Sequence, residues 1–211
     1  GTTTQLMWGA RSDVGCVRPH NEDSYLVQSP LFCVCDGMGG HAAGEVASSI
    51  AVETIAKTAP QSADAARLAA AVEAANAAVI EAALNGLGKP GMGCTATCAY
   101  IENDTLAIAH VGDSRAYLLH EGTLIRVTRD HSYVEELVDA GEITADEARV
   151  HPNRSVITRA LGSDPAMYAD HFTLHIEEGD RLILCSDGLS SMIPDSDIEN
   201  IATQSSSAQI C

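Results

Sequence analysis

Residues 31–37 read LFCVCDG, an apolar run that leads directly into Asp36-Gly37. Residues 182–188 read LILCSDG and repeat the pattern, ending at Asp187-Gly188. A short run with hydrophobic residues on both faces is typical of a strand buried in the middle of a layered fold. A carboxylate at the end of such a strand is costly to desolvate unless a positive charge meets it. The two stretches therefore predict buried strands whose ends carry functional carboxylates.

Length and charge limit the classes of protein to which the chain can belong. Its 211 residues are most simply one domain, with a flap inserted at about 130–165. The formal net charge is −17, with 12 Lys and Arg residues against 29 Asp and Glu residues. This balance argues against nucleic-acid binding, which requires basic residues against the phosphate backbone. A phosphorylated substrate is compatible with the chain where metal ions or a few arginines reverse the charge locally.

The cysteines indicate a reducing compartment. Seven are present and none forms a CxxC pair. Cys33 and Cys35 share one face of the predicted strand, and we interpret them as small core hydrophobes rather than metal ligands. We expect no secretion signal, and the most apolar stretch, 63–84, is interrupted by charged residues. We therefore expect a cytoplasmic protein that makes no membrane contact.

Hydrophobic periodicity predicts an α+β fold. Strands are expected at about 5–10, 24–29, 31–36, 95–102, 104–111, 115–120, 123–128, 170–177 and 180–186. Helices are expected at about 41–58, at 63–85 with Ser62 as the cap, at 132–140, at 144–149 and after Pro194. The four strands from 95 to 128 are separated by short turns, which predicts an antiparallel meander. The grouping of the elements favours helices packed outside paired antiparallel sheets.

The two strands that flank Ser29-Pro30 predict a pair of facing carboxylates. If Gln28 pairs with Leu31, Asp23 lies opposite Asp36, where like charges destabilise the sheet. A divalent cation turns this cost into a binding site. Glu22 is adjacent, and the Gly37 carbonyl has no side chain in its way. Oxygen ligands without His or Cys select Mg²⁺ or Mn²⁺ over Zn²⁺.

A structural role for these aspartates is the alternative. Asp in Asp-Gly usually caps a turn or a helix, and for any single position that interpretation is favoured. Four acidic positions at predicted strand ends, including Asp113 in Gly112-Asp113-Ser114-Arg115, together favour metal binding.

The chain contains no Cys-x5-Arg loop of the kind that phosphatases with a cysteine nucleophile use. This argues against a reaction that passes through a covalent phosphocysteine.

Five motifs occur in a fixed order along the chain. They are RPHNED at 18–23, DGMGGH at 36–41, GMGCT at 91–95, VGDSR at 111–115 and SDG at 186–188. Each is weak alone, but the series resembles the bacterial-type metal-dependent serine/threonine protein phosphatases of the type 2C family. The resemblance extends from about Asp13 to Leu189 and implies a four-layer αββα sandwich with two Mn²⁺ or Mg²⁺ ions in a cleft between the sheets.

The resemblance also implies roles for individual metal ligands. Asp36 would bridge both ions, Glu22 and the Gly37 carbonyl would complete one site, and Asp187 would serve the other. Asp113 together with Asp187 would hold a third, weaker ion.

Other residues would act on water and on the substrate. The resemblance implies that Asp23 orients metal-bound water and that Arg18 binds the phosphate. The flap at 130–165 would lie beside the cleft and contribute to substrate choice.

Histidines and a few arginines near these motifs are weaker candidates. His41 could donate a proton to the leaving oxygen, although a packing or capping role at a helix start is favoured. His131 and His151 border the flap, where solvent-facing roles are expected. The basic group Arg149, Arg154 and Arg159 is unusual in so acidic a chain, but substrate contact is the less favoured interpretation.

One part of the family pattern is absent from this sequence. The pattern includes a further aspartate in an Asp-Asn motif on a strand beyond Asp187, and the chain contains no Asp-Asn dipeptide. We expect the ion shared by Asp36 and Asp187 to be held less tightly for this reason. A missing strand would also leave a sheet edge unpaired, which predicts dimerisation through that edge.

Two functions remain open from the sequence. The first is hydrolysis of phosphoserine and phosphothreonine in proteins, with a Ser/Thr kinase or its targets as the partner that it opposes. The second is a weakened relative that binds phosphoproteins or regulates a partner. A two-metal nuclease ranks third, because the acidic surface repels long polyanions.

Overall fold

The strand predicted from LFCVCDG is buried between two layers of the molecule. The computed structural model describes residues 23–186, apart from the His41 side chain, and the main chain of 8–10 and 208–210. Strand β3 (Leu31–Met38) is buried over residues 31–37. Its side chains alternate between two cores, because successive residues of a strand point to opposite faces. Cys33 and Cys35 join a core beneath two helices, and Phe32 and Val34 join a core between two sheets.

The other elements follow the predicted order closely. The remaining strands are β1 (Trp8–Ala10), β2 (Asp23–Gln28), β4 (Gly93–Cys94), β5 (Ala96–Glu102), β6 (Thr105–Val111), β7 (Arg115–His120), β8 (Thr123–Arg126), β9 (Asp170–His175), β10 (Arg181–Cys185) and β11 (Ala208–Ile210). The helices are α1 (His41–Thr58), α2 (Ala65–Leu84), α3 (Tyr133–Asp139) and α4 (Ala145–Val150). The helix expected after Pro194 lies outside the described residues.

The strands form two sheets. One has the order β1-β11-β10-β7-β8, and the other has the order β2-β3-β5-β6-β9 with β4 paired to β3. Neighbouring strands are antiparallel, except that β11 is parallel to both β1 and β10. The two sheets and their flanking helices confirm the predicted α+β sandwich.

Three apolar clusters show how the layers stack. The largest fills the space between α1, α2 and the β3 sheet, and it contains four buried cysteines. A second cluster joins the sheets: Phe32, Val34 and Ile108 of one contact Ala116 and Leu184 of the other. A third, on the far face of the β10 sheet, contains Tyr117 and Ile183. The five described cysteines are free thiols and fully buried or nearly so, which confirms Cys33 and Cys35 as core residues.

The predicted meander is wrong. β5 pairs with β6, and β7 pairs with β8, but these hairpins belong to different sheets. The chain crosses between the sheets at 112–114, and Gly112 has a φ of +107°, a conformation that L side chains rarely adopt. A short connection is compatible with a turn within one sheet and with a crossing between two sheets, so hydrophobic periodicity alone did not distinguish these topologies.

The start of α2 also differs from the prediction. The cap is Asp64 rather than Ser62, and its side chain accepts a hydrogen bond of 3.1 Å from the Arg67 amide. A capping side chain must reach the third amide of the helix, and Asp64 directly precedes the first helical residue, Ala65.

The sheet edge that we expected to be open is occupied. Segment 208–210 pairs with β10 on one side and with β1 on the other. A short extended segment supplies all the backbone groups that such pairing needs. The expectation of an unpaired edge at β10 is therefore wrong.

Segment 126–165 contains α3 and α4 and returns to the β3 sheet. An isolated bridge between Leu161 and Cys94 attaches it to that sheet, and a second bridge, between Ser132 and Ile157, closes the segment on itself. None of the described helices combines the length and hydropathy that a membrane span requires.

Candidate metal centre at the strand ends

The β2–β3 hairpin brings two carboxylates face to face. Gln28 pairs with Leu31, and the same register places Asp23 opposite Asp36. This confirms the predicted pairing of the two strands. The Cβ atoms of directly opposed residues lie roughly 4.5–5.5 Å apart, and like charges there repel.

The carboxylates of this region are largely removed from solvent. Asp36 is 5% exposed and Asp113 is 7% exposed. The Oδ1 atoms of Asp23 and Asp113 are both buried. Buried carboxylates at the ends of strands from two different sheets are a costly arrangement, and an oxygen-binding cation offsets that cost.

Thr95 connects the ends of the two sheets. Its hydroxyl lies 3.1 Å from the Asp36 amide, which donates to it, and 2.5 Å from the Ser114 hydroxyl. The Thr95 amide in turn donates to the Asp36 carbonyl over 2.9 Å. The Asp36 main chain and the Ser114 hydroxyl, which follows Asp113, are therefore held in one hydrogen-bonded unit.

Gly112 makes this contact possible. A Cβ at Gly112 would lie 2.5 Å from Cγ2 of Thr95, closer than real side chains approach. The absence of a side chain at Gly112 thus lets the crossing between the sheets pack directly against Thr95.

His131 supports the Gly112 loop from the flap side. Its Nδ1 accepts a 2.9 Å hydrogen bond from the Gly112 amide, so the ring proton is on Nε2, which donates to Asp170 over 2.7 Å. Asp170 also pairs with Arg159 at 2.7 Å, and that guanidinium lies over the Tyr168 ring. Segment 126–165 is thereby attached to the loop that carries Asp113.

The electrostatics of this network follow from burial and from the pairing. Burial lowers the pKa of His131, against the opposing hydrogen bond to Asp170. Burial raises the pKa of Asp170, but contacts with Arg159 and His131 outweigh it and bring the pKa below its ordinary value. The expectation that His131 faces solvent is wrong, since it is 3% exposed. Arg159 acts here as a structural partner of Asp170.

Arg115 of the VGDSR motif is also structurally engaged. Its guanidinium forms two short contacts with Asp130 and donates to the Tyr117 hydroxyl over 2.9 Å. Burial lowers the pKa of Arg115, but the hydrogen bonds and charge of Asp130 outweigh burial and raise it. Arg115 thereby fixes the start of β7, two residues after Asp113.

The metal-ligand atoms that the described residues offer are of the kind that a hard divalent cation prefers. Asp23, Asp36 and Asp113 offer carboxylate oxygens, and Gly37, buried beside them, offers a carbonyl. Within the described part of the chain, the three carboxylates do not by themselves gather all their ligand atoms within 4.8 Å. A complete ion site therefore needs further ligands. The candidates from the sequence, Glu22 and Asp187, lie outside the described residues.

Two further predicted site groups, Arg18 and the side chain of His41, also lie outside the described residues. The structure adds Thr95 and Ser114, which the sequence had not singled out individually, and it gives His131 a supporting role instead of the expected solvent-facing one. A hydroxyl residue directly after GMGC and another after Gly-Asp were the available signals for the first two.

Similarity to known proteins agrees with this geometry. The family profile for protein phosphatase 2C matches residues 10–210. The serine/threonine protein phosphatase PstP of Mycobacterium tuberculosis is 43% identical over 202 residues, which cover 93% of this chain but 38% of that protein. The serine/threonine phosphatase Stp of Listeria welshimeri is 38% identical over 203 residues, covering 90% of this chain and 81% of that protein.

Solved structures agree with the sequence relatives. The crystal structure of the Mycobacterium tuberculosis phosphatase PstP matches with a TM-score of 0.86 at 41% identity, covering 94% of this chain and 85% of that one. A PstP catalytic domain in complex with two manganese ions matches with a TM-score of 0.84 at 39% identity, covering 94% and 84%. The chain spans about 38% of the length of the full PstP protein. On its matched extent, its sheet order and its facing carboxylates, this chain belongs to the protein phosphatase 2C family.

Proposed function

We propose that this domain hydrolyses phosphoserine and phosphothreonine in proteins with the help of Mn²⁺ or Mg²⁺. The observation that carries the proposal is the direct opposition of Asp23 and buried Asp36 in a chain of the protein phosphatase 2C family. When bound, such cations supply Lewis acidity, lower the pKa of water and neutralise charge on a phosphoryl group.

Each side chain has a defined task in this proposal. Asp36 and Glu22, with the Gly37 carbonyl, hold cations, as does Asp187. Asp23, fixed opposite Asp36 by the hairpin, accepts a hydrogen bond from the attacking water.

The remaining candidates act at the edge of the site. Arg18 binds the phosphate through its planar, permanently charged guanidinium. Asp113, held between Gly112 and Ser114, contributes with Asp187 to a weaker third cation site. His41 donates a proton to the leaving oxygen, and the flap at 130–165 of this single catalytic domain contributes to substrate choice.

The partners follow from this activity. A Ser/Thr kinase or its target proteins would supply the phosphorylated substrate. We propose a cytoplasmic location, in keeping with the five free thiols among the described residues.

The proposed function is tested by measuring the turnover of p-nitrophenyl phosphate and of a phosphothreonine peptide, each with and without Mn²⁺. We expect Mn²⁺-dependent hydrolysis that falls at least about 100-fold in Asp36→Asn, since the variant loses a charged ligand at the reacting centre. Asp104→Asn is the matched control, because Asp104 is an exposed aspartate on the β5–β6 turn, and it should retain activity.

The assay also separates the alternative function. Activity that needs no metal and survives Asp36→Asn contradicts the proposed hydrolase. Tight phosphopeptide binding without turnover in the wild-type domain, at saturating Mn²⁺, would instead favour a weakened phosphoprotein-binding relative.

A further inference from the structure

A second cluster of potential metal ligands lies where two turns meet. The last residue of β7 is His120, the β7–β8 turn contributes Glu121, and the β9–β10 turn contributes Glu177. Their ligand atoms all lie within 4.8 Å of one another. His120 Nε2 is 3.8 Å from a carboxylate oxygen of Glu121 and 3.9 Å from one of Glu177.

Asp180 orients the imidazole of this cluster. Its Oδ1 lies 2.6 Å from His120 Nδ1, and its Oδ2 accepts a 2.8 Å hydrogen bond from the Glu177 amide. The Asp180 side chain is 7% exposed, so this contact is shielded from water. With Nδ1–H donating to Asp180, the other ring nitrogen, Nε2, is directed at the two glutamates. A carboxylate on the distal nitrogen is the usual support of a metal-binding histidine.

The spacing of the three ligand atoms suits a small cation after minor adjustment. Metal–nitrogen and metal–oxygen bonds of about 2.1 Å at a tetrahedral angle separate the two ligand atoms by about 3.4 Å. The observed separations of 3.8 and 3.9 Å are too long for hydrogen bonds but close to that value. The glutamate side chains are 81% and 55% exposed, so they are free of packing that would prevent closure.

We propose that His120, Glu121 and Glu177 form a divalent-metal site that prefers Zn²⁺, with Asp180 holding the His120 ring in position. One imidazole nitrogen and two carboxylates favour Zn²⁺, whereas Mg²⁺ prefers oxygen ligands alone. Water completes the coordination at the exposed side. A bound ion would join the β7–β8 turn to the β9–β10 turn.

This site is separate from the strand-end carboxylates. Asp113 lies two residues before the first residue of β7, and His120 is the last residue of that strand. The five residue steps from Arg115 to His120 span about 17 Å. The two sites therefore lie at opposite ends of the same strand and differ in donor chemistry, which allows them to be loaded separately.

Zinc titration in excess Mg²⁺, followed by imidazole ¹⁵N spectra, tests the proposal, because the His120 signal reports on this cluster even where Zn²⁺ also competes for carboxylates elsewhere. We expect the His120 Nε2 resonance to shift and to saturate as Zn²⁺ fills the cluster. Glu177→Gln should weaken this binding at least about tenfold. Glu178→Gln removes the same charge from the same turn without touching the cluster, and it should change the affinity by less than about twofold.

Two results would overturn the proposal. His120 resonances that do not move at saturating Zn²⁺ would place the ion elsewhere. Equal weakening by Glu177→Gln and Glu178→Gln would mean that the acidic surface attracts the cation without a defined site. Because Glu177 and Glu178 are both exposed, neither variant is expected to unfold the protein.

Discussion

Asp23, the first residue of β2, faces Asp36, two residues before the end of β3, and this arrangement costs free energy in the absence of a counter-charge. Asp36 is almost completely buried, which adds a desolvation cost. A structural role would favour a neutral or exposed pair at this position. The cost is understandable if the pair exists to bind cations, and this is the residue-scale argument for the proposed chemistry.

His110 on β6 is a buried histidine whose protonation state follows from its partners. Nε2 lies 2.9 Å from the Arg129 carbonyl, which can only accept, so Nε2 carries the proton. Nδ1 therefore accepts from the Thr97 hydroxyl at 2.9 Å. Burial, with a smaller effect of His131, lowers the pKa of His110 from 6.5 to about 4.

This pKa predicts a loss of stability in mild acid. The unfolded chain binds the His110 proton below pH 6.5, whereas the folded protein excludes it until about pH 4. The free energy of unfolding should therefore fall as the pH is lowered through this window, by about 2 kcal/mol between pH 7 and pH 5 for this group. Urea unfolding at the two pH values measures the loss, and His110→Gln should remove that share of it.

Exposed His175 provides the control for this experiment. His175→Gln should retain the wild-type dependence of stability on pH. Identical pH dependences of the wild type and His110→Gln would show that His110 does not contribute.

At the scale of elements, Asn76 joins helix α2 to the returning end of segment 126–165. It lies among apolar residues of α2 and is 2% exposed. Its Nδ2 donates to the Asp164 carbonyl, and its Oδ1 accepts from the Gly162 amide, both over 2.8 Å. A buried amide with both functions satisfied specifies where this loop docks on the helix.

Asn76→Ala should destabilise the protein by roughly 1–3 kcal/mol, because two partly buried hydrogen bonds to the main chain are lost. Hydrogen exchange at the Gly162 amide should accelerate, and urea unfolding gives the change in stability. Glu73→Ala, at an exposed position of the same helix, should stay within about 0.5 kcal/mol of the wild type. Unchanged protection of the Gly162 amide in Asn76→Ala would contradict this role of the side chain.

At the scale of the whole molecule, the crossing at Gly112 connects the two sheets and positions Asp113 between them. The crossing packs against Thr95, which also holds the Asp36 main chain. The two carboxylate-bearing strand ends are therefore coupled through contacts that involve both sheets.

A matched pair of glycines tests this coupling. Gly112 and Gly122 both have positive φ, but a Cβ at Gly122 meets no atom within 4 Å. Gly122→Ala should cost about 1–2 kcal/mol from backbone strain alone. Gly112→Ala should cost at least about 2 kcal/mol more, since its Cβ would overlap Thr95. Urea unfolding compares the two, and the Mn²⁺-dependent activity should fall only in Gly112→Ala. Equal losses of stability would mean that the Thr95 contact contributes nothing.

Local sequence patterns were sufficient to predict the helices and strands and the Asp23–Asp36 half of the candidate site. The helix predicted at 41–58 is observed as α1 with those bounds, and the strands lie within a few residues of their predicted positions. The Asp23–Asp36 pair was also predictable, because a tight connection between two adjacent strands fixes their register. Periodicity and hairpin geometry act over neighbouring residues, and these are what a single sequence records.

Only the tertiary structure decided which sheet each hairpin joins and what supports the Asp113 loop. The separation of β6 from β7, the burial of His131 and the contact of Thr95 with Gly112 all depend on residues far apart in the chain. Such contacts are selected by how the layers pack, since a short connection permits a turn within a sheet and a crossing between sheets alike. The sequence by itself determined the elements and their carboxylate-bearing ends, and packing between the layers determined how those ends are brought together.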